Sequence, residues 1–280
     1  MFRYHEITPS APLQSFLKRF WILEDRGANN AAPPQRVIPD GRAELILNFG
    51  HPFEAFTNGA WRPQPRCFLA GQIDGPLLLR PRGRTKMLGI CFHPHGAASL
   101  FAGPMHELNG TFTPIGDLSP RLARDLDHAV ESLDPIPAVE RVLLVSLSGC
   151  AGDVLVAEAA RRITTTRGAA DVAALARSLS LSTRQLERRF QSAVGLSPKL
   201  FANMQRFNAV FRVLEENPAN WVDTALACGY YVQAHLIRDC KRFAGITPSR
   251  LLDEDGDLAR YFYLDAVMSH SSNTPARRLA

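Results

Sequence analysis

The chain repeats itself at a spacing of fifty residues. Leu186 and Leu236, Arg188 and Arg238, Gly195 and Gly245, and Pro198 and Pro248 are each 50 positions apart. The two copies read LSTRQLERRFQSAVGLSP and YVQAHLIRDCKRFAGITP, each ending in G-[LI]-[ST]-P. A common offset at apolar, basic, glycine and proline positions marks one supersecondary unit used twice. The C-terminal half must therefore fold as two like modules.

Each copy reads as a helix-turn-helix. In the first, Val172, Leu175, Ala176 and Leu179 share one face of a short helix, which Ser180-Leu181-Ser182 interrupts. Ser182 followed three residues on by Gln185 is a capping-box arrangement, and it restarts a helix at Thr183. On that second helix Leu186 and Phe190 point inward, which leaves Thr183, Arg184, Gln185, Glu187, Arg188 and Gln191 for the outward side. A short helix, a tight turn and a helix with an outward face of Arg, Gln and Glu is the form that enters a DNA major groove. In the second copy Thr224, Ala225 and Ala227 make the small-residue face of the supporting helix and Gly229 supplies the turn. The helix after it offers Gln233, His235, Arg238, Lys241 and Arg242 outward, although His235 stands beside the core position Leu236 and reads as structural. Between the copies, residues 199–216 form an apolar helix (Phe201, Met204, Phe207, Val210, Phe211, Leu214) suited to bridging two units rigidly. Gly195 and Gly245 are helix stops, and Ser197-Pro198 and Thr247-Pro248 start the helices that follow.

Charge follows the same boundary. Residues 1–160 carry a net −1, residues 161–250 a net +8 and residues 251–280 a net −2. A single ninety-residue segment thus holds the whole positive excess, the electrostatic footprint of a polyanion-binding module.

With these motifs in place, residues 167–252 resemble the double helix-turn-helix domain of AraC/XylS-type transcription regulators. The resemblance rests on RQLERRF followed by GLSP, the linker helix, ALACGY, the HL-x-R-x-x-KRF stretch, and GITP. The second copy departs from the usual pattern at Val232, Ala234, Cys240 and Ala244. By resemblance, Arg184, Glu187 and Arg188 in the first unit and Gln233, Ile237 and Arg238 in the second occupy base-facing positions. Arg suits them because it bonds guanine O6 and N7 together, and Gln does the same at adenine N6 and N7. Two such helices imply successive major-groove contacts about one helical turn apart, a site of about 17 to 20 base pairs per monomer.

The first half has a different texture. Residues 37–93 alternate short apolar runs (AELILNFG, PLLLRPRG, TKMLGICF) with Pro and Gly punctuation, as in a β-sandwich or small barrel, with hairpin-type turns at Asp40-Gly41 and Asp74-Gly75. After Pro94, residues 95–102, 119–132 and 137–147 show helical spacing, and Ser119-Pro120 is a cap and first-turn pair. The stretch RVIPDGRAELILNFG, Gly71-Gln72 and GICFHPHGAASLFAGPMHEL are similar to the truncated cupin-like sensor domain of one regulator subgroup. The expected fold is an α+β two-domain protein. Residues 1–150 form a small β-barrel or cupin-like unit with a helical annex. Residues 151–252 form an all-α domain of two helix-turn-helix units (about 171–194 and 221–244) joined by a linker helix, and residues 253–280 an acidic and polar tail.

The expected function is a sequence-specific regulator that binds double-stranded DNA, modulated through the N-terminal domain by a small effector or by homodimerisation. If the output is activation, RNA polymerase is a further partner. The alternative is a metal-dependent cupin-type enzyme, or an interaction module with a DNA-binding appendage. His93-x-His95 with Cys91 has the donor spacing of a strand-borne metal site. However, Pro94 breaks that strand and no Glu and His follow at cupin-like spacing. With no GxSxG, P-loop or HExxH motif either, no catalytic residue, metal or cofactor is expected. The five cysteines form no CxxC pair, the first ten residues hold no signal-peptide core, and no stretch suits a bilayer, so a cytoplasmic protein is expected.

Overall fold

The apolar runs of the first half pair into two antiparallel sheets. The computed structural model of the chain describes residues 2–25, 33–216, 221–230 and 233–253. Among them the strands are β1 (Phe2–Ile7), β2 (Leu17–Asp25), β3 (Gln35–Val37), β4 (Glu44–Asn48), β5 (Glu54–Thr57), β6 (Ala60–Pro63), β7 (Cys67–Ala70), β8 (Leu77–Arg80), β9 (Thr85–Phe92) and β10 (Phe112–Pro114). One sheet has the order β1-β2-β9-β4-β7-β10 and the other β3-β8-β5-β6. No strand pairing joins the sheets among the described residues, so of the two expected forms, a sandwich or a small barrel, the unit takes the open two-sheet one.

The larger sheet is covered on both faces, which is why its strands read as near-continuous apolar runs. Leu45 and Leu47 of β4 and Leu88, Ile90 and Phe92 of β9 pack toward the helical annex. Ile46, Met87 and Cys91 point the other way, to a second cluster with Trp21, Phe53 and Phe68. The annex consists of α1 (Ile115–Leu118), α2 (Pro120–Val130) and α3 (Pro135–Leu147). Ser119 caps α2, its hydroxyl accepting from the Leu122 amide. Residues 95–102 form only a single 3-10 turn at Ala97–Ser99 rather than the helix their spacing suggests.

Neither expected hairpin turn joins paired strands. Asp40-Gly41 links β3 to β4 and Asp74-Gly75 links β7 to β8, and in both cases the chain crosses between sheets. The two-residue hairpin is Asn58-Gly59, with φ of 53° and 77°, between β5 and β6.

Beyond residue 150 the described elements are all helical: α4 (Val154–Thr165), α5 (Val172–Ser178), α6 (Thr183–Val194), α7 (Pro198–Glu216), α8 (Trp221–Ala227), α9 (Gln233–Phe243) and α10 (Pro248–Asp253). One core unites them, with Phe190, Phe201, Phe207 and Phe243 fully buried. Ile38 from the β3–β4 connection enters this core. Beside it, α7 donates from the buried side chains of Gln205 and Asn208 to the carbonyls of Asp40 and Pro39, at 2.9 and 3.0 Å. The first half is thereby seated directly on the linker helix.

Candidate nucleic-acid interface

The first unit is built as its sequence dictates. α5 ends at a turn in which Ser180 takes φ +57°, and Ser182 then starts α6 with a complete capping box. The Ser182 amide donates to Gln185 Oε1 at 2.8 Å and the Gln185 amide donates to Ser182 Oγ at 3.2 Å. Leu186, Phe190 and Val194 of α6 are buried, while Thr183, Arg184, Gln185, Glu187, Arg188 and Gln191 are all exposed. Arg184, Arg188 and Gln191 follow one another at four- and three-residue steps and so share one stripe of the helix. Among the described residues no salt bridge engages Arg184, Glu187 or Arg188. Gln185 is different: the capping box already holds its side chain.

Arg189, which the sequence reading passed over, is the anchored residue of this helix. Its Nε and Nη2 donate to Asp153 Oδ2 and Oδ1 at 2.7 and 2.9 Å. Asp153 Oδ1 also accepts from the Leu155 and Val156 amides, both at 3.1 Å, and so caps α4. Partial burial pushes the Asp153 carboxyl up, but the Arg189 guanidinium and the two capped amides outweigh it and hold the group below the usual carboxylate range. One carboxylate thus ties the start of the C-terminal unit to its first outward helix. The sequence signal was Asp153 ahead of the apolar run VLVAEAA, a helix-start pattern.

The second unit turns at Gly229, φ +79°, between α8 and α9. Leu236, Cys240 and Phe243 of α9 are buried, and His235, Arg238, Lys241 and Arg242 are exposed. His235 is therefore not the packing residue its neighbour Leu236 suggests. Ile237 is half-buried, and Ala227, read as part of the supporting face, is exposed whereas Cys228 is buried. Cys240 and Ala244, the departures from the usual pattern, are both fully buried. Arg242 also faces the N-terminal domain: its Nη2 lies 3.8 Å from Asp74 Oδ2, and its guanidinium lies 5.5 Å from the Phe243 ring centre. Val232, the side chains of Leu214 and Gln233, and residues 254–280 lie outside the described residues.

The N-terminal domain contributes two concavities. Between its sheets lies a cavity of about 90 Å³, lined by Arg19, Glu44, Gln64 and Gln72 among apolar Ile46, Leu79 and Phe112. Gln64 Oε1 and Gln72 Nε2 are buried there without a hydrogen-bond partner. Between the domains, a cleft of about 620 Å³ is lined by Lys18, Arg42, His93, His95, Arg161 and Phe201. Burial, then the neighbouring His95 and Arg42, push His93 down to about 4, and burial pushes the Lys18 amine down to about 8. His93 Nε2 is 3.1 Å from the Gln14 carbonyl, its ring stacks on His95, and Cys91 is fully buried in β9, so the three do not converge as ligands.

Comparison with known proteins matches the two halves separately. Residues 175–254 match a family model described as a helix-turn-helix domain, and residues 5–114 match one described as a domain of unknown function, DUF6597. Over 77 residues the chain is 34% identical to the HTH-type transcriptional regulator MtrA of Neisseria gonorrhoeae, a stretch that covers 28% of this chain and 26% of that protein. The C-terminal unit thus matches a helix-turn-helix domain. The chain spans about a quarter of the length of that curated relative. Among solved structures it is similar to ToxT from Vibrio cholerae, at TM-score 0.44 and 8% identity over 90% of this chain and 97% of that one. It is also similar to the AraC-like transcriptional activator CuxR, at TM-score 0.29 and 12% identity over 77% and 86%. No helix among the described residues is long and apolar enough to cross a membrane.

Proposed function

We propose that this chain is a sequence-specific, double-stranded-DNA-binding transcription regulator that reads two successive major-groove segments. One observation carries the reading: the helix-turn-helix domain presents two outward helices, α6 and α9, from a segment of net charge +8, joined by the single helix α7. In α6 the base-facing set is Arg184, Glu187 and Arg188, with Thr183 and Gln191 beside it; Gln185 serves as the cap. In α9 the set is Gln233 and Arg238 with Ile237, flanked by His235 and Lys241. Free guanidinium groups on an exposed helical stripe can form the paired bonds to guanine that distinguish one base pair from another.

The N-terminal domain is the regulatory part of this reading. The unpartnered Gln64 and Gln72 in the cavity between the sheets support a ligand with both donor and acceptor groups and, at about 90 Å³, only a few non-hydrogen atoms. The test is selection of bound sequences from a random duplex pool by the full chain at near-physiological salt. A motif of two blocks about ten base pairs apart is expected. A selected pool no different from the input overturns the reading.

A further inference from the structure

We infer that the N-terminal domain braces the two outward helices, with Asn109 and Arg36 as positioning residues that fix the spacing at which α6 and α9 meet DNA. The inference rests on the regulator reading above. Its starting point is the fifty-residue repeat: Gly195 ends α6 and Gly245 stands at the matching place after α9. The last carbonyls of a helix have no partner within it and are available to an outside donor. At the end of α6, Asn109 Nδ2 donates to the Gly195 carbonyl at 2.7 Å. At the end of α9, Arg36 Nη1 donates to the Ala244 carbonyl, one residue before Gly245, at 2.8 Å. One domain therefore holds both repeats at the C-terminal ends of their outward helices, one residue apart in the repeat register.

The second contact has more behind it than a hydrogen bond. A cationic guanidinium at a helix C-terminus also meets the negative end of the helix dipole. Next to it, a Cβ built on Gly245 would come within 3.0 Å of Pro76, and Arg242 faces Asp74. Arg36 lies on β3, which pairs with β8, the strand that follows Pro76. Asn109 follows the 3-10 turn Met105–Leu108, and its neighbour Gly110 donates to the Gln72 carbonyl at 2.7 Å. Both donors are thus anchored in the body of the N-terminal domain. A third footing lies between them, where Asp40, Pro39 and Ile38 sit on α7. With contacts at α7 and at the C-terminal ends of α6 and α9, the N-terminal domain sets the angle between the two outward helices together with α7.

The prediction concerns spacing rather than affinity. Inserting one base pair between the two recognition blocks turns the second by about 34° around the duplex axis, given about 10.5 base pairs per turn. The full chain and its Arg36→Gln/Asn109→Ala variant are titrated against duplexes carrying the selected site with zero, one, two or three extra base pairs. The unaltered chain is expected to lose about tenfold or more in affinity at two extra base pairs, and the variant less than about threefold, because a displaced block forfeits its base contacts. A variant that lost affinity only through general destabilisation would weaken equally at every spacing. Asp74→Lys, at a position 70% exposed, repels Arg242 without disturbing a core and is expected to relax the spacing dependence in the same direction. Unchanged spacing dependence in both variants overturns the brace while leaving the regulator reading intact. Equal binding of selected and scrambled duplexes by the unaltered chain overturns the regulator reading and the brace with it.

Discussion

Two adjacent arginines on α6 should behave in opposite ways. Arg188 is exposed and has no salt bridge among the described residues, whereas Arg189 donates twice to Asp153. Replacing Arg188 with Ala removes nothing that holds the fold, so stability should stay within about 0.5 kcal/mol. Its cost should fall on the selected duplex, about 1 to 3 kcal/mol or roughly 5- to 150-fold in Kd, which is what a bidentate base contact contributes. Arg189→Ala loses two charge-assisted hydrogen bonds from a pair whose side chains are 38% and 23% exposed. After allowance for screening by solvent that is about 1 kcal/mol of stability, with Asp153 still able to cap α4. Fluorescence anisotropy on selected and scrambled duplexes, with thermal melts of the same preparations, separates the two effects. If Arg188→Ala weakens both duplexes equally, the residue is a phosphate contact. If it lowers Tm as much as Arg189→Ala does, the account of α6 is wrong.

Gly41 adopts φ +83°, and a Cβ there would come within 2.4 Å of Phe201, so Gly41→Ala should unseat the β3–β4 connection from α7. Backbone strain alone should cost about 1 kcal/mol or more, seen as a lower Tm; an unchanged melt would refute the seating. His93 is held near 4 by burial, so between that value and about 6.5 the unfolded chain binds the extra proton. Stability should be full above pH 6.5 and fall by about 1 to 2 kcal/mol by pH 5, and His93→Gln should flatten that slope. Should the two proteins show the same pH dependence of Tm, the assignment to His93 fails. The +8 segment requires affinity for DNA to fall steeply with salt, at least tenfold between about 50 and 200 mM, and a flat response contradicts it.

What was legible in the sequence was what is decided locally. The capping box at Ser182 and Gln185, the stop at Gly195 and the cap at Ser119 each depend on residues within one turn, and all are present. The apolar runs of β4 and β9 announced strands, but not which strands they would join. Asp40-Gly41 and Asp74-Gly75 carry turn chemistry equal to that of Asn58-Gly59, yet only the last lies between strands that pair, a fact fixed by distant partners. The same limit governs the site. Gln185 and Arg184 are alike in sequence as outward polar residues, and the reciprocal cap removes only the first. Arg242 reads as an outward cation, and its ion-pair partner is Asp74, a residue of the other domain. Gln205 and Asn208 sit on a helix that looks apolar, and their carbonyl partners lie 165 and 169 residues away. Nothing near Arg36 or Asn109 in the sequence points to a helix end at the far side of the chain.

Methylation interference on the selected duplex, bound by the full chain, tests most directly whether both repeats enter the major groove. Methylation of guanine N7 blocks the bidentate Arg contact from that groove. Two clusters of interfering guanines are expected, about 10 base pairs apart on one face of the duplex, with Arg188→Ala erasing sensitivity in one cluster only. A single cluster, or sensitivity spread evenly along the duplex, would contradict the account.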